Sequence, residues 1–145
     1  MPDWFFYALG AAVLYGAHQI FTKLAAERIS DGIGGFVVEA SAALTILIYL
    51  LSLWLGRRWN QSFTGSGLFY SVLTGICVGV GTIFFFVLFQ KGGPLSSVPM
   101  ILAGGAAIMA IAGILFFKEQ ASVARVIGIA LALLGLFLLR SPVQN

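Results

Sequence analysis

The chain has 145 residues, of which 60% are hydrophobic and only 9% charged, and its mean hydropathy is +1.03. Soluble domains carry about 25% charged residues, so eight basic and five acidic side chains cannot clothe a water-facing globule. Secreted, cytosolic and nucleic-acid-binding roles are excluded, the last despite a pI near 9.4, because a net charge of +3 scattered along the chain forms no basic patch.

What remains is an all-α integral membrane protein. A bilayer core about 30 Å thick needs about 20 apolar residues per helix, and charged and turn residues divide the chain into five such segments, about 4–26, 33–55, 67–89, 95–117 and 121–140. The first begins with an apolar run from Trp4 to Thr22 and has Asp3 but no Lys or Arg before it. It exceeds the roughly 7–15 residues of a signal-peptide core and reads as a retained helix. Glu27, Arg28 and a Ser30-Asp31-Gly32 turn end it. The second segment stops before Arg57 and Arg58, and a polar stretch leads to Gly67 and the third. Lys91-Gly92-Gly93-Pro94 precedes the fourth, and Lys118-Glu119-Gln120 precedes the fifth. Unbroken apolar runs without alternation exclude barrel strands, and the short loops make sequential helices antiparallel neighbours in a compact bundle. Trp4, Tyr7, Trp54, Trp59 and Tyr70 fall near segment ends, where amphipathic rings anchor at the headgroups.

Five crossings put the N-terminus and the second and fourth loops on one side of the membrane. Arg57, Arg58, Lys118 and Arg125 fall there; Lys23, Arg28, Lys91 and Arg140 fall on the other, four against four. Orientation follows an excess of Lys and Arg in cytoplasmic loops, so an even split predicts that both orientations are populated. An odd number of crossings also fits one half of an inverted-repeat carrier, and the absence of internal repetition makes the other half a second copy or a partner chain.

Among ionisable groups within the spans, Glu39 stands out. A carboxylate at depth costs several kcal/mol unless paired, hydrated or protonated, and its helical neighbours Gly32, Gly35, Ala42 and Ala43 are small, letting another backbone approach. Glu39 is therefore expected to face the bundle interior as a proton or cation site. His18, the single histidine, shares a helical stripe with Ala11, Tyr15 and Thr22. Counted at 1.5 Å per residue, His18 lies about 12 Å inside from Ala26 and Glu39 about 10 Å inside from Gly32, so the two are candidates to meet. Lys23 and Glu27, spaced i,i+4, are expected to neutralise one another.

Gly75 and Gly79 form one small-xxx-small step, and Ala124, Gly128 and Ala132 a longer one that marks the fifth segment as a packing or dimer face. Pro94 and Pro99 bracket the start of the fourth helix, where a kink would free backbone carbonyls for Ser96, Ser97 or a ligand. Cys77 is the lone cysteine, inside an apolar stretch, and reads as inert packing. No hydrolytic triad, metal cluster, phosphate loop or haem motif is present in the sequence, so neither an enzyme nor a metal or cofactor is expected.

The run Gln90-Lys-Gly-Gly-Pro-Leu-Ser-Ser-Val-Pro-Met100, then Phe116-Phe-Lys-Glu-Gln120 followed by Val126-Ile-Gly-Ile-Ala-Leu-Ala-Leu-Leu-Gly-Leu136, resembles the EamA-type unit of the drug/metabolite transporter superfamily. Lys91, Glu119, Gly128 and Gly135 fit that pattern, as do Tyr15-Gly16 and Lys23 in the first helix. The resemblance spans essentially the whole chain as a single domain. It implies one five-helix half of a carrier, most relatives of which fuse two such units into ten helices. A lone half implies an antiparallel homodimer, as the similar but shorter four-helix small multidrug resistance proteins form. The expected function is then secondary transport, with export favoured, of small organic metabolites or drugs by alternating access in the plasma membrane of a bacterium or archaeon. Glu39, His18, Tyr15 and Thr22 would line its substrate or proton site. Alternatives are an accessory subunit that pairs with a different membrane chain, and a lipid-carrier flippase.

Overall fold

A computed structural model describes residues 4–120, 122–123, 126–131 and 134. Every regular element among them is helical: α1 (Trp4–Ala26), α2 (Asp31–Leu55), α3 (Gly65–Gln90), a 3-10 turn (Leu95–Ser97) and α4 (Val98–Phe117), with further helix at 126–131. Three stretches among the described residues are long and apolar enough to cross a membrane: Asp31–Leu55, Gly65–Gln90 and Leu95–Phe117. Five were expected. α1 has the length, 23 residues, but His18, Gln19, Thr22 and Lys23 crowd its second half and dilute its hydropathy. Most of the fifth expected segment, with Ala124 and Ala132, lies outside the described residues.

The helix ends have local causes. Ser30, extended at φ −66° and ψ 151°, leads into Asp31, whose carboxylate occupies the first turn of α2, where the helix dipole favours negative charge. The helix therefore absorbs the residues expected to form a turn. α3 starts at Gly65 because the Thr64 hydroxyl accepts the Gly67 amide at 3.1 Å, an N-cap that satisfies one orphan donor. α2, α3 and α4 all finish alike, with a left-handed residue and an amide reaching back to a carbonyl five or six residues earlier: Arg58 N to Leu53 O at 2.9 Å, Gly93 N to Leu88 O at 2.9 Å and Glu119 N to Gly113 O at 3.1 Å. The left-handed positions are Arg57 (φ 53°), Gly92 (φ 82°) and Lys118 (φ 52°). Only Gly92 is free of the Cβ penalty there.

Two compact units divide the chain, Met1–Gly93 and Pro94–Asn145. In the first, α3 packs against both α2 and α1. The buried residues sit at one end: Gln19, Thr22 and Ala26 on α1, Gly34 and Gly35 on α2, and Thr82, Phe86 and Phe89 on α3. The tightest contact is at Gly34, where an added Cβ would come 2.2 Å from Phe86 Cε1, and Phe86 is fully buried. Gln90 Nε2 donates to Ile29 O at 2.9 Å, tying the α1–α2 loop to the end of α3. Toward the opposite end residues 4–16, 40–49 and 65–78 are all exposed. The helices part there, so this unit is packed at the end carrying the α1–α2 loop and splayed at the other.

In the second unit, the interruption expected at Ser96, Ser97 and Pro99 takes the form of the 3-10 turn. Ser97 Oγ donates to Pro94 O at 2.7 Å, so that serine occupies the carbonyl itself. Pro99 falls in the first turn of α4, where its missing N–H removes no helical bond, and so it starts the helix without bending its interior. At the far end of α4, a Cβ on the buried Gly113 would lie 3.3 Å from the Glu119 carboxylate, so that side chain folds back over the helix end.

Candidate functional site

Polar side chains gather where the packed and splayed parts of the first unit meet. Thr82 on α3 donates its hydroxyl to Glu39 Oε1 on α2 at 2.6 Å, a short, charge-assisted bond if the carboxylate is ionised. Glu39 is half-buried, and Gly35, one turn away, brings the α2 backbone within ordinary contact of Ile83 and Thr82.

α1 contributes the other polar group. His18 Nδ1, Gln19 Oε1 and Thr22 Oγ1 are buried and have no hydrogen-bond partner. Gln19 is 7% exposed and Thr22 2%. Helical spacing puts Thr22 one turn beyond both His18 and Gln19, so the three share one region of the α1 surface. Elsewhere, hydroxyls in these helices satisfy themselves on the preceding turn: Ser41 on Val37 O, Thr45 on Ser41 O, Ser71 on Gly67 O and Thr74 on Tyr70 O. Thr22 does not, although the option is local and leaves only a slight bend. A buried acceptor left unmade costs about 1–3 kcal/mol.

Lys23 marks the packed end of this seam. Its ammonium lies 5.4 Å from the Phe89 ring centroid and 3.7 Å from Glu27 Oε1, and Arg28 also approaches Glu27 at 3.9 Å. Lys23 beside Phe89 and Glu39 beside Thr82 give the depths. Along α1 His18 lies about 7 Å and Thr22 only about 1.5 Å inward of Lys23, and along α3 Thr82 lies about 10 Å inward of Phe89, so the α1 atoms differ in depth from the Glu39–Thr82 bond by about 3 Å at His18 and about 9 Å at Thr22.

The residues singled out from the sequence are distributed as follows. Among the described residues no hydrogen bond or ion pair joins His18 to Glu39; Thr82 is the partner Glu39 takes. Tyr15 is 68% exposed, its ring edge-on to His18 at 6.4 Å between centroids. Gly75, Gly79 and Gly128 have nothing within 4 Å of an added Cβ, so they make no close packing here, and Cys77 is exposed. The close approach is at Gly34, which the small-xxx-small spacing does not mark. Thr82, Gln19 and Gln90 also escaped sequence reasoning. The available signal was their polarity inside or beside an apolar run. An apolar groove of about 620 Å³ beside α2, lined by Leu47, Leu50, Leu51, Trp54 and Trp59, offers no comparable chemistry.

The structure thus sets one carboxylate, held by Thr82, and three unpartnered polar atoms of α1 among apolar helices. The model of the EamA-like transporter family matches residues 3–141. The chain belongs to the EamA-like transporter family. It is accordingly a membrane transporter of the drug/metabolite transporter superfamily, and the resemblance seen at Gln90–Met100 and Phe116–Gln120 reflects that membership. This EamA-like chain is also similar to an uncharacterized protein of Methanocaldococcus jannaschii, 29% identical over 129 residues that cover 88% of this chain and 89% of the relative. No solved structure matches it.

Proposed function

We propose that the protein is a secondary carrier of small organic molecules that works as an antiparallel homodimer, with the seam around Glu39 as its substrate or proton site. The observation that carries this is the Glu39 carboxylate, half-buried within a membrane-length helix and held by Thr82. Intramembrane carboxylates are retained for ion or substrate pathways because their burial is otherwise costly. His18, Tyr15 and Thr22 complete the site. The splayed end gives a path to one side of the membrane, and an inverted second copy supplies the complementary path. Two features support the second copy: the even split of basic residues, and the unoccupied Gly75–Gly79 face of α3. The M. jannaschii relative, matched over 89% of its length, is likewise about one such unit long. In this arrangement α1 crosses the membrane as well, because 23 residues rise about 34 Å and its polar stripe turns inward. The fifth segment, through Ala124, Gly128 and Ala132, braces the dimer. Export from the cytoplasm is the direction proposed.

Topology mapping with reporters on both termini tests this. Both orientations are expected in comparable amounts, in the plasma membrane. A single orientation in all copies refutes the homodimer and favours pairing with a different membrane chain.

A further inference from the structure

We propose that the C-terminal end of α2 holds an anionic phospholipid, its phosphate on Arg57 and Arg58 and an acyl chain in the groove lined by Leu47, Leu50, Leu51, Trp54 and Trp59. The groove is a helical stripe closed by a chain reversal. Leu47, Leu50, Leu51 and Trp54 are spaced i, i+3, i+4 and i+7 on α2, so they follow one face for about 10 Å. Trp59 lies beyond the helix end yet lines the same groove of about 620 Å³, so the chain folds back beside α2 after Leu55. The Arg57 amide bonds to Trp54 O at 3.2 Å and the Arg58 amide to Leu53 O at 2.9 Å, which fixes the reversal. Both arginines therefore sit between two residues that line the groove, and Arg58 adjoins Trp59 with Cα atoms about 3.8 Å apart.

Their side chains are uncommitted. Arg28, in the α1–α2 loop, donates to Leu24 O and pairs with Glu27. Arg57 and Arg58 form no ion pair or side-chain hydrogen bond among the described residues, and the backbone amides of Gly56, Arg57 and Arg58 already occupy carbonyls at the end of α2. Glu39, the last acidic residue before this end, lies about 27 Å back along the helix. α2 has the length and hydropathy of a membrane span, so its end, marked by two tryptophans, falls at the headgroups. Phosphate is the anion found there, and guanidinium forks match its oxygens bidentately. The apolar stripe continues from the arginines into the hydrocarbon. A soluble anion leaves that stripe empty, and an apolar partner helix leaves two guanidinium groups without a counter-charge; an anionic lipid answers both. Leu47 is about 12 Å along α2 from Glu39, so this lipid site stands independently of where substrate binds.

The chain has three tryptophans, Trp4, Trp54 and Trp59, so in a Trp4→Phe background the fluorescence comes from the groove alone. The test is quenching of that protein, in phosphatidylcholine vesicles, by phosphatidylglycerol or phosphatidylcholine brominated near the top of the same acyl chain. Phosphatidylglycerol is expected to be preferred at least about fivefold, the attraction of one basic residue at the surface. Arg57→Gln with Arg58→Gln is expected to abolish the preference and leave quenching by the phosphatidylcholine unchanged, which also shows that the variant is folded and inserted. Arg57→Lys with Arg58→Lys keeps both charges without the planar forks and is expected to lose most of the preference. Equal quenching by the two lipids, or a preference that survives the glutamine pair, overturns the inference. An undiminished preference in the lysine pair also overturns it, by assigning the effect to diffuse surface charge. Quenching by neither lipid overturns it as well and points to a second copy or another chain over the groove. Excess glycerol 3-phosphate is expected to displace nothing; displacement by it assigns the arginines to a soluble anion and refutes the lipid.

Discussion

Gly34→Ala is the sharpest probe of the packed end. The new methyl would lie 2.2, 2.6 and 2.8 Å from Cε1, Cζ and Cδ1 of Phe86. That ring is fully buried, so relief requires moving a whole aromatic side chain or separating α2 from α3. Overpacking of this kind costs about 1–3 kcal/mol, while replacing a helical glycine by alanine returns about 1 kcal/mol. The net expectation is a loss of up to about 2 kcal/mol. Gly16→Ala in α1 is the control, because nothing lies within 4 Å of its added Cβ; it should gain up to about 1 kcal/mol. The two variants should therefore differ by about 1–3 kcal/mol. Unfolding by SDS titration in micelles, followed by far-UV circular dichroism, measures the difference. Phe86→Leu combined with Gly34→Ala should show a favourable coupling of at least about 0.5 kcal/mol. If Gly34→Ala proves as stable as Gly16→Ala, Phe86 does not fill the Gly34 notch and the proposed seam loses its closed end.

Thr82→Val keeps the shape of the side chain but removes the hydroxyl that Glu39 accepts at 2.6 Å; it should cost about 1.5–3 kcal/mol in the same titration if the carboxylate is ionised, and much less if Glu39 is satisfied elsewhere. Gln90→Leu should speed amide exchange in the α1–α2 loop severalfold by hydrogen-exchange mass spectrometry, because Ile29 O loses its 2.9 Å donor; an unchanged loop would show that the bond contributes nothing to closure. Arg57→Gly with Lys118→Gly relieves two left-handed side chains and should raise stability by about 1 kcal/mol at each site. The same pair leaves Arg58 and Arg125 against Lys23, Arg28, Lys91 and Arg140, so terminal reporters should shift toward the orientation with the latter four in the cytoplasm.

The helices themselves are legible because unbroken apolar runs and the residues between them obey simple rules of length and capping. α2 and α3 each begin two residues earlier than the hydropathy pattern suggests, since Ser30 and Thr64 set the first turn locally. Which faces meet is harder to read. A helix between lipid and protein is apolar all round, so its pattern carries no moment pointing to the neighbour. This is why Gly75 and Gly79 look as suited to close packing as Gly34, although only the last receives a side chain. The same ambiguity hides Thr82. A hydroxyl in Gly81-Thr82-Ile83 resembles the self-bonded Thr74 until the helix rotation is known. Glu39, His18 and Thr22 could be singled out because polarity at depth is costly wherever it points. That His18 and Glu39 take no bond to each other depends on that same rotation, which no single segment encodes.

Stitching the helices at one end alone also turns them into levers. From Phe86, the pivot at the Gly34 notch, to Gly65 at the start of α3 the helix extends about 31 Å, so a tilt of only about 10° carries the far tip roughly 5 Å. A displacement of that size matches the width of a small organic group, and it requires no bond in either helix to break.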